Sequence, residues 1–264
     1  KLINNFQSIN VDIKEEHITV IKKAPRKALK LDLSQTSSDA DEDAYIFKEK
    51  LVRFSYRYKY LDGEYSPFAP FSNIAFSPGP FEYKSKKGYN AGMSNRIVEL
   101  GLEKFITPDL PKDVEAIDLL IKMEVSPTVY IVDTIRKNDT VPSGATNNPW
   151  NLNKYTITSD GSIKGAVPSN QMLRPWDNVP KRALGQEITG NRLVYGNYTQ
   201  GYSLLNSSGS NYRPEFEVDI DGQLNGTANE PLKSIKSLRD YQLGVVFSDE
   251  YGRETPVISN QSGV

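Results

Sequence analysis

The sequence has no cysteine and a single histidine, His17, among its 264 residues. Without cysteine, disulfide frameworks, Cys-ligated zinc, iron–sulfur clusters and thiol nucleophiles are excluded. One histidine excludes a multi-histidine metal centre and leaves a single candidate for imidazole catalysis. Neither sign of charge is in excess: 32 basic side chains face 33 acidic ones, for a net charge of -1. That balance argues against a surface that coats nucleic acid. No run approaches the roughly 20 apolar residues that cross a bilayer, and the first residues carry no signal-peptide pattern. Hydrophobic residues make up 38%, sparse for one large core, whereas tyrosine (15), glycine (18) and proline (16) are plentiful. That mix suits short strands and many turns. The chain begins at Lys1 and runs out at Val264 just after a strand-like stretch, so it reads as a segment of a longer polypeptide.

The clearest local signal is Phe54, Tyr56, Tyr58 and Tyr60 at period two, with Ser55, Arg57 and Lys59 between them. One face is aromatic and the other polar. Asp62-Gly63 supplies a turn, and Tyr65–Ser72 returns as a ragged edge strand interrupted by Pro67 and Pro70. Val114–Met123 and Thr128–Ile135, either side of Ser126-Pro127, predict a second hairpin. Arg96–Leu102 predicts a strand, and Tyr155–Thr158 with Ser162–Val167 a short hairpin. Ala24–Asp43 reads as a loop insertion, Asn138–Asn153 as a loop, and Leu204–Ser210 as a linker. Met172–Trp176 and Val179–Glu187 read as irregular or one-turn helical pieces before a short strand at Gly190–Tyr198.

Leu51–Ser72 can be laid over Leu238–Ser259, so that Phe54, Tyr56, Tyr58 and Tyr60 meet Tyr241, Leu243, Val245 and Phe247. An Asp-containing turn and a Pro-bearing return (Pro67, Pro256) follow in both copies. This predicts an all-β chain of tandem fibronectin- or immunoglobulin-like β-sandwich modules, with Tyr56, Tyr58, Leu243 and Val245 facing cores. The expected divisions are residues 1–83, a first module with the insertion at 24–43; 84–167, a second module; 168–212, an irregular connector; and 213–264, the start of a further module.

The motifs that could carry chemistry have plainer readings. His17 sits among Glu15, Glu16 and Thr19 and reads as a surface or strand-end residue. Asp39, Asp41, Glu42 and Asp43 could attract a hard cation, but in a Ser-rich stretch they read as a solvated loop. Asp219-Ile-Asp221-Gly222 starts like a calcium loop with a misplaced Gly and no closing Glu. Five Asn-x-Ser/Thr triplets, at Asn138, Asn197, Asn206, Asn225 and Asn260, read as polar turns. There is no phosphate loop, no G-x-S-x-G elbow and no H-E-x-x-H. No catalytic, cofactor-binding or metal residue is therefore assigned, and the chain is not expected to be an enzyme.

Two stretches carry a family resemblance. Trp176-Asp-Asn-Val-Pro…Gly190-Asn-Arg-Leu-Val-Tyr-Gly-Asn-Tyr198 resembles a segment recurring in large bacteriophage tail proteins, and Leu232–Val257 resembles its usual downstream neighbour. The hairpin Phe54–Ser72 resembles the fibronectin type III-like repeats that precede them. The family comprises the distal-tail (muzzle and nozzle-region) structural proteins of crAss-like podophages. The resemblance implies a virion component around the DNA exit channel, built as a ring-forming homo-oligomer such as a hexamer. It further implies contacts with other phage tail proteins, assembly in the host cytoplasm and no cofactor. It also makes Gly190–Tyr198 a corner between modules. Neutral charge and absent cysteine agree with such a scaffold.

Two further classes stay open. One is a carbohydrate-binding or adhesin module that stacks host-surface glycans on Trp150, Trp176 or Tyr198. The other is the non-catalytic part of a tail glycan depolymerase. No sequence-specific nucleic-acid binding and no membrane insertion are expected. The long polar stretches Arg26–Asp43, Lys137–Asn153 and Leu204–Arg213 are expected to include one that reaches a neighbouring subunit.

Overall fold

The aromatic stripe organises the molecule. The computed structural model describes residues 22–33, 44–139, 148–172, 182–199, 201–219, 238–249 and 251–259. In it the stripe lies on β2 (Val52–Tyr60), because four rings at period two make one face too apolar to leave in water. β2 pairs antiparallel with β6 (Val114–Met123), placing Phe54, Tyr56 and Tyr58 opposite Ile121, Leu119 and Ile117. β6 pairs in turn with β7 (Val129–Arg136), and β7 with the short β9 (Gly165–Ala166).

β3 (Tyr83–Lys84) and β4 (Tyr89–Asn90) form a separate two-stranded pair, and a second sheet has the order β1–β5–β8, formed by Lys30–Asp32, Leu100–Glu103 and Lys154–Ile157. Its Leu100, Leu102 and Ile157 share one buried cluster with the stripe and with Ile117, Leu119 and Ile121. The two sheets thus enclose a common core. Among the described residues helix amounts to 6% against 38% strand, an all-β character with a sandwich-type fold.

Several expectations are corrected by the pairings. The division at 83/84 falls inside this sandwich, since β2 pairs with β6 and β1 with β5 across it. The stretch 24–43 is not wholly a loop: Lys30–Asp32 is a strand because its edge meets β5. Tyr155–Thr158 and Ser162–Val167 do not pair with each other. β8 joins β5 and β9 joins β7. The Asn138–Asn153 loop contains a short helix, α1 (Pro149–Leu152), capped by Asn148, whose side chain accepts from Trp150 N–H.

The return segment after Gly63 covers the free edge of β2 in an unusual way. The N–H groups of Ser66, Ala69, Ser72 and Ala75 donate to the carbonyls of Tyr58, Tyr56, Phe54 and Val52 at 2.7–2.9 Å. Every third residue therefore meets every second residue of β2. The segment rises about 2.2 Å per residue against about 3.3 Å in a strand. The sequence matches this period, with small residues at 66, 69, 72 and 75 against β2 and Tyr65, Phe68, Phe71 and Ile74 one step before them. Ser66 and Ser72 also accept, through Oγ, the N–H of Tyr58 and Phe54 at 2.9 and 3.0 Å. The ragged edge strand expected from Pro67 and Pro70 is this coil.

The stripe hydroxyls anchor the segment before β1. Tyr56 donates to the Lys27 carbonyl at 3.0 Å and Tyr60 to the Lys23 carbonyl at 2.6 Å, while Tyr58 Oη lies 3.4 Å from Thr107 Oγ1. Burial pushes all three phenols above their ordinary range. A raised phenol contributes stability that is whole below the unfolded pKa and is lost as pH rises beyond it. Tyrosinate absorbance from this stripe is therefore expected only together with global unfolding above about pH 10. Absorbance and far-ultraviolet dichroism followed through one alkaline titration check the coincidence.

Candidate assembly surface

A buried ion pair lies on the second face of the β2 sheet. Arg57 and Asp118 sit opposite each other in register, 1% and 2% exposed. Arg57 Nε donates to Asp118 Oδ2 at 2.9 Å and Nη1 to Gln171 Oε1 at 3.0 Å. The guanidinium lies 3.8 Å from the ring centroid of Tyr65, and Thr134 Oγ1 donates to Asp118 Oδ1 at 2.7 Å. Each oxygen of the carboxylate has a partner, and both side chains are essentially out of solvent. The arrangement ties β2, β6, β7 and the short helix α2 (Ser169–Met172) together, and it offers a substrate no open face.

A depression of about 260 Å³ lies at the ends of β6 and β7, with Lys112, Arg136 and Lys137 beside Glu115 and Asp139. Its charges are mixed and its walls shallow. At the sheet margin Arg26 Nη2 donates to Asp109 at 2.9 Å, which is the main cause holding that carboxyl down at about 2. Among the described residues no group of three or more His, Cys, Asp or Glu could hold a metal ion.

The exposed feature is a hairpin. β10 (Arg182–Thr189) and β11 (Arg192–Thr199) pair antiparallel, from Arg182 opposite Thr199 to Thr189 opposite Arg192. Gly190 and Asn191 close it with φ of +55° and +59°, both central residues of the turn on the positive side. Expected as an irregular connector with one strand at Gly190–Tyr198, this region is two regular strands. The Gly-Asn pair between Ile188-Thr189 and Leu193-Val194 was the signal that could have shown it.

Every residue of the hairpin is exposed except Ala183, which is half-buried. Strand alternation and pairing put Leu184, Ile188, Leu193 and Tyr195 on one face, with Val194 and Tyr198 on the other. A two-stranded hairpin alone is marginal in water, and this one carries a large apolar surface without cover. Gly185 and Gly196 face each other at its middle. A Cβ at Gly185 would meet nothing within 4 Å, and one at Gly196 would meet only the Gly185 carbonyl at 3.9 Å. Among the described residues no packing demands glycine there.

The second copy of the Leu51–Ser72 motif is present as β12 (Gly244–Val245) and β13 (Ile258–Ser259). Its turn repeats the first: Gly63 N–H donates to Tyr60 and Gly252 N–H to Asp249, with φ of +83° and +75°. Ser66 N–H donates to the Tyr58 carbonyl as Thr255 N–H does to Phe247. The same hydroxyls accept back from Tyr58 N–H at 2.9 Å and Phe247 N–H at 3.1 Å. Each position thus lies 189 residues after its counterpart, two residues away from the alignment read off the sequence. The stripe Phe54, Tyr56, Tyr58 corresponds to Leu243, Val245, Phe247. Their environments differ: Leu243 is 51% and Phe247 43% exposed, and Val245 is half-buried. The expectation that Leu243 faces a core is therefore corrected, because among the described residues no strand takes the place of β6.

The remaining candidates are dispersed. Trp150 is half-buried and packs on the main core, so it offers no glycan platform, whereas Tyr198 is exposed on β11. Leu204–Ser210, expected as a linker, belongs to a small hairpin in which Leu205 bridges Asn211. Its turn is held by Asn206 Oδ1, which accepts the N–H of Ser208 and Ser210. Asn138 lines the depression, and Asn197 sits in β11 at φ +46°. His17, Asp39, Asp41, Glu42, Asp43, Trp176, Asp221, Gly222, Asn225 and Asn260 lie outside the described residues. Compared with known proteins, the chain matches no family model, no curated protein and no solved structure.

Proposed function

We propose that the chain is a structural subunit of a bacteriophage virion, placed at the distal tail (muzzle or nozzle) around the DNA exit channel, and that it acts by assembly. The observation that carries this reading is the β10–β11 hairpin. All of it but Thr199 lies in the stretch Trp176–Tyr198 that resembles phage tail proteins, and it leaves Leu184, Ile188, Leu193 and Tyr195 uncovered. A hairpin with so little internal packing gains its stability from a neighbour. The ring-forming contact with further copies and the contacts with other tail proteins are the natural occupants of such a surface. In labelled electron micrographs of washed phage particles, antibody against this chain is expected to mark the tail tip. Absence of the chain from washed particles overturns the reading.

A second reading rests on one observation. Phe81 and Tyr83 stack at 6.3 Å with nearly parallel rings, and both are exposed. Such a pair suits a carbohydrate-binding or adhesin role toward host-surface glycans. Under that reading, replacing both by alanine abolishes retention on immobilised host glycans. Under the assembly reading, the wild type is not retained in the first place.

A further inference from the structure

We infer that the β12 edge accepts a strand from the β10–β11 hairpin of a second copy of this chain, joining copies head to tail. The first copy of the repeated motif shows what the second lacks. In β2 the N–H and C=O groups of Phe54 and Tyr58 face the return coil, so those of Arg53, Ser55, Arg57 and Lys59 face β6. Shifted by 189 residues, the counterparts are Gln242, Gly244, Val246 and Ser248. The Phe247 and Val245 side of the second motif is bound to its return segment. Among the described residues no strand pairs with the other edge, where Gln242, Gly244, Val246 and Ser248 point their backbone groups. An unpaired edge flanked by exposed Leu243, Val246 and Phe247 is a template for strand addition.

The first motif also specifies the chemistry of the strand that fits. β6 sets Ile117, Leu119 and Ile121 against the aromatic stripe and Leu120 and Asp118 against Ser55 and Arg57. In the second motif Arg57 is replaced by Val246, so the incoming strand needs apolar residues on both faces and no carboxylate. β11 has this character, with Leu193 and Tyr195 on one face and Val194 and Tyr198 on the other. Among the described residues both outer edges of the β10–β11 pair are also unpaired. Each hairpin is two-stranded, and joining them gives a four-stranded sheet, past the threshold of three strands at which sheets become independently stable. Gly185 and Gly196, which no contact among the described residues explains, leave the middle of the hairpin free of side chains that would stiffen it before a partner strand is added. Donor and acceptor are different surfaces, so the contact is heterologous and propagates into a ring or a filament. The inference stands on two edges that are open among the described residues and holds whichever particle the chain belongs to.

The test separates donor from acceptor. Val246→Pro removes an N–H on the open edge and leaves the bonds to the return segment untouched. Leu193→Ser with Tyr195→Ser strips the donor face. Sedimentation of the full chain is expected to show concentration-dependent association for the wild type. Each variant alone is expected to associate at least tenfold more weakly, and an equimolar mixture of the two to form dimers and nothing larger. Val246→Lys, which keeps the N–H but places a charge on the edge, serves if the proline variant loses its β dichroism, and it is expected to behave alike. A wild type that is monomeric at every concentration overturns the inference, whether the edge is then covered by another part of the same chain or left open. So does a variant that associates like the wild type, and so does a mixture that stays monomeric. A tail-tip location with a monomeric wild type would leave the proposed function standing and this contact refuted.

Discussion

Asp118→Ala is expected to lower stability by about 3–5 kcal/mol, because it leaves the Arg57 guanidinium buried without its counter-charge. Arg57 and Asp118 are both essentially solvent-free and opposite each other on β2 and β6. The large effect measures the stranded charge, not the worth of the pair. The double change Arg57→Met with Asp118→Leu is accordingly expected to fall within about 1–2 kcal/mol of the wild type or above it, since buried pairs are often matched by well-packed apolar residues. Denaturant unfolding of the two variants decides the point. Equal losses in the single and double variants would show that the pair contributes more than its desolvation costs.

Tyr56→Ala is expected to cost about 3–5 kcal/mol, as for other large-to-small changes in a core. Tyr56 is fully buried between the sheets and lies 5.9 Å from Tyr58, ring to ring. Tyr56→Phe removes only the hydroxyl that holds the Lys27 carbonyl, so a loss of about 1 kcal/mol is expected. The counterpart change in the second motif, Val245→Ala, together with the neighbouring Leu243→Ala, is expected to cost well under half as much in a dilute sample, because those side chains remain partly in water. Thermal melts of the four variants test the contrast directly. A melt of Leu243→Ala depressed as far as that of Tyr56→Ala would place Leu243 in a core.

The period-two stripe on β2 and the hairpin of β6 and β7 were legible in the sequence because alternation and turn residues are local. What lay beyond reading was which strand meets which. β1 hides in a basic stretch, and only β5, about 70 residues downstream, makes it a strand. The repeat was visible but out of frame by two residues, since a shift of two leaves every side chain on the same face and the pattern unchanged. Its equivalences emerged from hydrogen bonds, Ser66 with Thr255 and Gly63 with Gly252. Burial was legible only in part: Tyr56 and Tyr58 face a core as their alternation implied, whereas Leu243, on the same pattern, does not. The Phe54 and Leu243 environments differ through β6, a partner that lies in neither motif. The β10–β11 hairpin escaped notice because Gly185, Gln186 and Glu187 dilute the alternation of its first strand.

The coil at residues 65–75 works as a vernier against β2. Two scales of different pitch, three residues on one and two on the other, coincide only at Ser66, Ala69, Ser72 and Ala75. Sliding by one residue would bring Pro67, Pro70 or a phenylalanine to sites where only a small side chain fits and an N–H is required. Length changes in this stretch are therefore tolerated in whole triplets and not singly, whereas in β2 they come in pairs. The edge is measured off in units that no ordinary strand can share, and a foreign strand arriving there finds no matching graduation.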